Sequence, residues 1–310
     1  MSEDYPKTVL EFERRFPDDA ACRGCLFALR WPKGFVCPHC SGQAAWAMKR
    51  GLWLCRRCRR QVSVTAGTVF QDSHLPLTVW FRALWHMAGQ KNGVSALGLQ
   101  AVLGLGSYKV AWAMLHKLRR AMVRPGRGRL TGRVEVDETY IGGLNEGQKG
   151  RPTAGKGRKA LVVIAAQEDG AGIGRIRMRR IARASAKELI GFVESAVEPP
   201  AVVHTDGWSA YGTLWEQGYR HEVVFLKDDA TLMPRVHRVA SLLKRWLLGT
   251  HQGAVRPEHL DDYLDEFTFR FNRRTSASRG KLFYRLTQQA VPVKPTPYRT
   301  LIRPQPLGGG

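Results

Sequence analysis

Two Cys-x-x-Cys pairs near the N-terminus constrain the fold of this chain more than any other feature. Cys37 and Cys40 form one pair, and Cys55 and Cys58 form the other, with fourteen residues between them. Each pair is typical of a tight turn, and four thiolates suit a tetrahedral structural zinc that has no open position for catalysis. A segment this short has too small a core to fold without the metal. We therefore predict a zinc-ribbon module over residues 1–72, held by structural Zn²⁺.

The other cysteines and the arginines of this module have different predicted roles. Cys22 and Cys25 repeat the spacing, but they lie in a stretch with helical periodicity, which favours packed helix residues over metal ligands. Arg56 and Arg57 stand inside the second metal-binding pair, where we expect their cationic side chains to contact DNA phosphates. A solvated run of charge is the alternative interpretation of these arginines.

The charge of the chain indicates a polyanionic partner. The 310 residues include 49 Lys and Arg against 26 Asp and Glu, which gives a formal net charge of +23. Nucleic acid is therefore the first partner to expect and an anionic membrane the second. No run approaches the roughly 20 apolar residues of a membrane-spanning helix, and the charged N-terminus lacks the apolar stretch of a signal peptide. These observations predict a cytoplasmic protein whose 6 cysteines stay reduced.

Residues 73–125 carry a helical pattern that is typical of a DNA-binding module. Ser95 and Ser107 are suited to cap two short helices, and the glycines between these helices favour a turn, as in a helix-turn-helix. The second helix of such a motif enters the major groove. We therefore predict DNA contacts from four residues on its basic face: Lys109, Trp112, Arg119 and Arg120. A small helical bundle that bridges two domains is the alternative.

Residues 126–290 show the pattern of an α/β domain. Apolar runs and alternating patterns predict three strands, a helix, a strand, a helical piece, another strand and then helices. The five predicted strands cover residues 133–141, 159–166, 174–180, 201–206 and 219–225. This order is that of the ribonuclease H fold, a mixed five-stranded sheet with helices, in which the first and fourth strands are neighbours. Residues 291–310 are rich in Pro and Gly, and we interpret them as a tail.

Two aspartates become neighbours in this strand order. Asp137 lies on the first predicted strand, and Asp206 lies at the end of the fourth. Paired carboxylates repel each other unless cations bridge them, and magnesium prefers oxygen ligands while it keeps positions open for phosphate. Two such ions about 4 Å apart support phosphoryl transfer on a nucleic-acid backbone. A surface carboxylate at Asp137 and a helix N-cap at Asp206 are the alternatives.

Several motifs together resemble those of bacterial insertion-sequence transposases of the zinc-ribbon, DDE type. Besides the ribbon and the helical segment, the resemblance rests on VEVDETYIGG at residues 134–143, TDGWSAY at 205–211 and YLDEFTFRFNRR at 263–274. It runs from about Phe16 to Pro292, which is nearly the whole chain. The resemblance implies that Asp137 and Asp206 are the first two acids of a catalytic triad.

The third position of the triad departs from the family pattern. The family typically has a Glu about seven residues before a Lys-Arg pair, whereas here His237 stands seven residues before Lys244, which Arg245 follows. A neutral imidazole is able to bind a divalent ion and suits manganese better than magnesium. The alternatives are that Glu266 supplies the third ligand or that the site has none. Lys244 and Arg245 are expected to contact phosphates.

The resemblance implies a DNA transposase that binds terminal inverted repeats, cuts at the ends of an insertion sequence and transfers the freed strand with Mg²⁺ or Mn²⁺. The expected partner is double-stranded DNA, both element ends and target, without a membrane. Joining two ends implies at least a homodimer, and the expected location is the bacterial nucleoid. A non-catalytic zinc-ribbon and helix-turn-helix regulator with a degenerate nuclease-like domain is the alternative. A stand-alone nuclease is a third hypothesis.

Overall fold

The computed structural model of the chain describes residues 4–124, 126–142, 159–223, 232–253 and 255–303. The helices, in chain order, are α1 (Val9–Arg15), α2 (Asp19–Arg30), α3 (Leu77–Gly89), α4 (Ala96–Leu103), α5 (Tyr108–Arg120), α6 (Ala186–Ala196), α7 (Pro234–His251), α8 (Leu260–Phe271), α9 (Arg279–Ala290) and α10 (Tyr298–Leu301). The strands are β1 (Ala45–Ala47), β2 (Leu52–Cys55), β3 (Gln61–Ser63), β4 (Arg133–Ile141), β5 (Ala160–Asp169), β6 (Gly172–Ile181), β7 (Val202–Thr205) and β8 (Arg220–Val223).

The described residues form two compact units. One comprises the chain up to Arg124 together with Ser276–Arg303, and the other comprises the residues between them. These limits differ from the predicted ones, which separated the zinc ribbon from the helical segment and placed residues 276–290 in the α/β domain. The physical reason is aromatic packing inside the first unit. Helix α9 packs against α3, and the ring centroid of Phe283 on α9 lies 5.3 Å from that of Phe12 on α1.

The N-terminal part of the first unit is a three-stranded antiparallel sheet beside helix α2. Strand β2 pairs with β1 and with β3, so that Trp53 lies opposite Val62 on β3. The Phe27 ring on α2 stacks on Trp53 with 4.7 Å between the ring centroids. The short hairpin that the sequence predicts between the two cysteine pairs is therefore present, and an aromatic contact covers one side of it.

Helices α4 and α5 are joined by the predicted glycine turn. The Ser95 hydroxyl accepts a hydrogen bond from the backbone N–H of Gly98 at 3.0 Å, and the Ser107 hydroxyl accepts one from Lys109 at 3.2 Å. Gly104 ends α4 in the left-handed conformation, with φ of 61°, where a residue without a side chain is strongly favoured. Both predicted N-caps and the predicted turn are confirmed.

The second unit is built on a mixed five-stranded sheet with the order β6-β5-β4-β7-β8. Strands β4, β5 and β6 pair antiparallel, and β7 runs parallel both to β4 and to β8. This topology is that of the ribonuclease H fold, as the order of sequence patterns predicts. The first three residues of β4, Arg133–Glu135, pair with Val202–His204 of β7. The same register, continued by two residues, brings Asp137 in β4 level with Asp206, which follows β7.

Helices cover both faces of this sheet. Val134 and Val136 of β4 pack in one core cluster with residues of α6 such as Phe192. The opposite face of β5, with Val162 and Ile164, packs with residues of α7 and α8. Side chains of a strand alternate between the faces, so the polar residues Glu135 and Asp137 lie on the side of α7. The fold therefore places a long helix directly over the strand that carries Asp137.

One local prediction differs from the structure. The predicted tail is partly ordered, because residues 298–301 form α10 and the Leu301 side chain is buried. Residues 304–310 of that tail, Gly143 of the first motif and the end of the fifth predicted strand lie outside the described residues. Among the described residues, no helix combines the length and the apolar character needed to cross a membrane.

Candidate functional site

The four cysteines of the N-terminal sheet converge on one point. The sulfur atoms of Cys37, Cys40, Cys55 and Cys58 all lie within 4.8 Å of one another. The closest pairs are Cys40 with Cys55 at 3.6 Å and Cys37 with Cys58 at 3.7 Å. Four thiol donors at this separation fit a closed tetrahedral zinc site, which serves structure and leaves no position for substrate.

Backbone N–H groups favour the thiolate form of one cysteine of the cluster, Cys55, and the thiolate is the form that a metal binds. Backbone N–H groups of Cys58 and Arg57 donate to the Cys55 sulfur and lower the pKa of this thiol to about 6. Cys22 and Cys25 lie apart from this cluster, on α2, and burial raises their pKa values to about 12 and about 11. Buried protonated thiols pack as apolar groups, in agreement with the interpretation of this pair as helix packing residues.

The zinc assignment predicts different effects for the two kinds of cysteine. Cys55→Ser removes one of four converging donors, so the purified chain is expected to lose its zinc and the fold of the ribbon with it. Cys22→Ser removes a thiol that lies outside the cluster and is expected to keep a full equivalent of zinc. Elemental analysis of both variants is the measurement. A full equivalent of zinc in Cys55→Ser would contradict the assignment.

Asp137 and Asp206 come together through the pairing of β4 with β7. Asp137 lies in the middle of β4, with 22% of its side chain exposed, and Asp206 follows the last residue of β7. One Asp206 oxygen accepts the backbone N–H of Trp208 at 3.1 Å across a turn at Gly207. Burial, and next the charge of Asp206, raise the pKa of the Asp137 carboxyl. The pairing of Glu135 with His204, continued by two residues, makes Asp137 and Asp206 neighbours across the two strands.

His237 reaches the same point from helix α7. Its Nε2 atom lies 3.4 Å from Oδ2 of Asp137, and its side chain is 39% exposed. The buried stripe of the helix is Val236, Val239 and Leu243, which packs on the sheet. This stripe orients α7 so that the first turn presents His237 to β4. The arrangement brings together two carboxylates and an imidazole, a donor set that suits a hard or borderline divalent cation.

Glu266, the alternative third ligand, lies in a different environment. It is on α8 with 0% of its surface exposed, and one carboxylate oxygen accepts from Nε and Nη2 of Arg270 at 2.8 and 2.7 Å. Glu266 and Arg270 stand four residues apart, a spacing that is typical of an exposed ion pair along a helix. The pair with Arg270 is present, but it is buried.

This burial predicts a structural effect for Glu266→Ala. Removing the carboxylate takes away the charge that faces Arg270, and breaking a buried pair in this way costs about 3 kcal/mol of unfolding free energy. Glu198→Ala is the matched control, because Glu198 pairs with Arg129 at 2.6 Å with about half of its side chain exposed, and such pairs contribute under about 1 kcal/mol. Urea denaturation measures both. Unchanged stability with lost DNA cleavage would instead place Glu266 in the active site.

The residues predicted to contact DNA divide into two groups. Lys109, Arg56, Arg57, Lys244 and Arg245 are all exposed. The other three, Trp112, Arg119 and Arg120, face the protein.

Packing on α5 explains the second group. Arg119 is 1% exposed, the Trp112 ring lies 4.1 Å from the His116 ring, and the Arg120 guanidinium donates to Thr296 at 3.3 Å. The predicted basic face of α5 is therefore wrong for Arg119, which is too buried to reach a phosphate. Trp112 and Arg120 are half-buried and take part in contacts within their unit. Only the first turn of the helix, with Lys109, presents a cation outward.

Sequence reasoning missed three residues next to the carboxylates. Glu135 and Glu138 flank Asp137 on β4, and Tyr211 follows Asp206 in a 3₁₀ turn. All three lie in the two motifs that carry the aspartates, so the motifs themselves are the signal that could have identified them. Their hydrogen bonds become evident only when the strands are assembled.

Comparison with known proteins agrees with this geometry. Residues 129–272 match the family model described as ISXO2-like transposase domain, and residues 17–61 match the transposase zinc-ribbon domain. Together the two models cover more than half of the chain. The combination of a zinc ribbon with a ribonuclease-H-like domain of this type defines DNA transposases. More particularly, the chain belongs to the ISXO2-like transposases that carry an N-terminal zinc ribbon.

A relative and a solved structure show weaker similarity. The chain is 28% identical over 280 residues to a protein of Halobacterium salinarum described as an uncharacterized protein in transposable element ISH50, and the match covers 83% of this chain and 92% of the relative. The structure described as the Mos1 strand transfer complex aligns with a TM-score of 0.28 and 14% identity, over 68% of this chain and 74% of that chain. A structural similarity at that level supports no inference.

Proposed function

We propose that this transposase cuts DNA at the ends of its element and joins the freed ends to target DNA, with divalent metal ions held by Asp137, Asp206 and His237. The observation that carries the proposal is the approach of these side chains: His237 Nε2 lies 3.4 Å from Asp137 Oδ2, and Asp137 and Asp206 each lie two residues beyond the paired Glu135 and His204 on neighbouring parallel strands. The three side chains come from different elements: Asp137 lies on β4, Asp206 follows β7, and His237 lies on α7. Such convergence is expected of a metal site and has no evident role in stability, because paired carboxylates repel each other.

The donor set fits Mg²⁺ or Mn²⁺. The two carboxylates supply the oxygen atoms that both ions prefer, and the imidazole nitrogen shifts the preference towards Mn²⁺. When bound, such ions neutralise the charge that develops on a phosphate during phosphoryl transfer. The residues of the chain hold the site in a half-exposed position, so that a DNA backbone is able to approach it.

The proposed reaction has two displacement steps. In the first, water attacks a phosphorus atom at the element end, the bond to the 3′ oxygen breaks, and a free 3′ hydroxyl remains. In the second, this hydroxyl attacks a phosphodiester of target DNA, a new bond forms to the phosphorus, and a 3′ hydroxyl of the target leaves. Lys244 and Arg245 are exposed two turns after His237 on α7, and in this proposal they contact the phosphate backbone.

Exposed cations of the first unit supply DNA affinity in this proposal. Arg56 and Arg57 lie on the second cysteine turn, and Lys109 lies on the first turn of α5, where we propose that its ammonium group contacts a DNA phosphate. The inverted repeats at the element ends are the proposed double-stranded target of these groups. Joining two ends requires at least two chains on DNA, so we also propose a homodimer or larger assembly that acts at the bacterial nucleoid.

The proposal predicts the activity of three active-site variants. Asp206→Ala is expected to abolish nicking of a supercoiled plasmid in Mn²⁺. His237→Ala is expected to reduce nicking by at least about 100-fold, because even a residue that only supports a ligand costs 10–100-fold. His237→Glu is expected to retain part of the activity and to shift its preference from Mn²⁺ towards Mg²⁺. Gel separation of nicked and supercoiled plasmid measures each rate.

The same assay separates the proposal from its alternatives. A wild-type chain that binds DNA without nicking it would favour the non-catalytic regulator. Full activity in His237→Ala, together with an inactive but folded Glu266→Ala, would show that the third ligand is Glu266. Nicking without strand transfer into a second DNA would favour a stand-alone nuclease.

The exposure of Lys109 and the packing of Arg120 on α5 predict which of these cations affects DNA binding. Lys109→Ala is expected to reduce the slope of log affinity against log salt concentration by about 0.9, the value for one lost phosphate contact. Arg120→Gln is the control, because this guanidinium already donates to Thr296, and its slope is expected to stay unchanged. Fluorescence anisotropy over a salt series measures both. An unchanged slope in Lys109→Ala would mean that the first turn of α5 does not touch the backbone.

A further inference from the structure

Helix α7 is anchored to the strand of Asp137 by one buried carboxylate. Glu135 Oε2 accepts the backbone N–H groups of Arg235 and Val236, both at 2.8 Å. The residue before the helix, Met233, provides no side-chain cap, so Glu135 takes the place of the missing cap from the neighbouring strand. Glu135 is only 6% exposed. It therefore fixes the first turn of α7, the turn that contains His237.

The Arg235 side chain strengthens this connection. Its guanidinium contacts the second oxygen of Glu135 at 3.0 Å and Glu168 of β5 at 3.0 Å. It also donates to the backbone carbonyls of Gly170 and Gly172, each at 3.0 Å, in the turn between β5 and β6. Arg235 stands two residues before His237, and Glu135 stands two residues before Asp137. The Arg235–Glu135 contact therefore joins α7 to β4 directly beside the pair formed by His237 and Asp137, whose Nε2 and Oδ2 atoms are 3.4 Å apart.

A second glutamate ties the segment of Asp206 to the same strand. The backbone N–H of Glu138 donates to Asp137 Oδ1 at 2.8 Å, and the Glu138 carboxylate accepts the hydroxyl of Tyr211. Tyr211 is fully buried, and burial together with Glu138 raises its pKa, so the phenol keeps the proton that it donates. The hydrogen bond from Tyr211 to Glu138 therefore holds the segment that begins at Asp206 against β4.

We infer that Glu135 and Glu138 are positioning residues that set the separation of the three metal ligands, an inference that rests on the proposed function. Glu135 acts on His237 through the first turn of α7, and Glu138 acts on Asp206 through Tyr211. Neither glutamate is a ligand in this proposal. Groups that orient metal ligands in this way typically change metal affinity by 10–100-fold when they are replaced.

The test measures Mn²⁺ binding to the zinc-loaded full-length chain by calorimetry, in the absence of DNA. Glu135→Gln keeps an oxygen for the helix N–H groups but loses the charge that pairs with Arg235, and Tyr211→Phe removes only the hydroxyl that Glu138 accepts. Both are expected to bind Mn²⁺ 10–100-fold more weakly while circular dichroism shows a folded chain. Glu198→Gln is the matched control, since it alters another Glu–Arg contact of the same unit, and it is expected to bind as the wild type does.

Any other result would contradict the role of Glu135, the role of Glu138 or the metal site itself. Wild-type Mn²⁺ affinity in Glu135→Gln or in Tyr211→Phe would overturn the role of Glu135 or of Glu138, respectively. Loss of the fold in Glu135→Gln would assign Glu135 to domain stability and overturn its positioning role, and Tyr211→Phe would still decide the other half. If the wild type binds no Mn²⁺, or if Asp137→Asn binds it unchanged, the proposed metal site itself fails, and the positioning roles fail with it.

Discussion

Asp137 and Asp206 repel each other, and the architecture around them depends on how this repulsion is contained. Burial and the charge of Asp206 both raise the pKa of Asp137, which means that keeping both groups ionised costs free energy. The parallel pairing of β4 with β7, from Arg133 opposite Val202 to Glu135 opposite His204, prevents the strands from moving apart. The cost is therefore imposed by the sheet, and a nearby cation is the simplest way to reduce it. In the proposed site His237, whose Nε2 lies 3.4 Å from Asp137 Oδ2, helps to bind that cation.

Other carboxylates of the second unit already have basic partners. Glu135 contacts Arg235, Asp261 contacts Arg180 at 3.0 Å, and Glu198 contacts Arg129. Ion pairing removes equal amounts of positive and negative charge, so the formal net charge of +23 of the whole chain is unchanged by these pairs and favours association with DNA. The carboxylates at the site differ from these in having a histidine and each other as neighbours. Within the part of the chain that the structure describes, Asp137 and Asp206 have no Lys or Arg partner, and this contrast agrees with the metal role that we propose for them.

The sequence allowed the sheet and the cysteine cluster to be predicted because both follow from local patterns. Alternation in β4 and the buried run of β5 each determine a strand, and the order of elements leaves few topologies. The face of α5 was harder to predict, since Arg119 occupies a position with basic neighbours and only tertiary packing shows that it is buried. The location of α9 in the first unit likewise depends on the contact of Phe283 with distant aromatic rings. The burial of Glu266 could not be predicted for the same reason, because its i,i+4 spacing to Arg270 gives no information about burial.

In the proposed metal site, a histidine at the third position changes what the rest of the domain has to provide. A carboxylate offers two oxygens and tolerates small shifts, because it binds a cation through either or both of them. An imidazole offers a single nitrogen here, Nε2, in a direction that the ring fixes. The helix that carries it must therefore be held more accurately than one that carries a Glu. The two backbone N–H groups that donate to Glu135 belong to Arg235 and Val236, the residues directly before His237, and the requirement for accuracy is a physical reason for a buried carboxylate at that position.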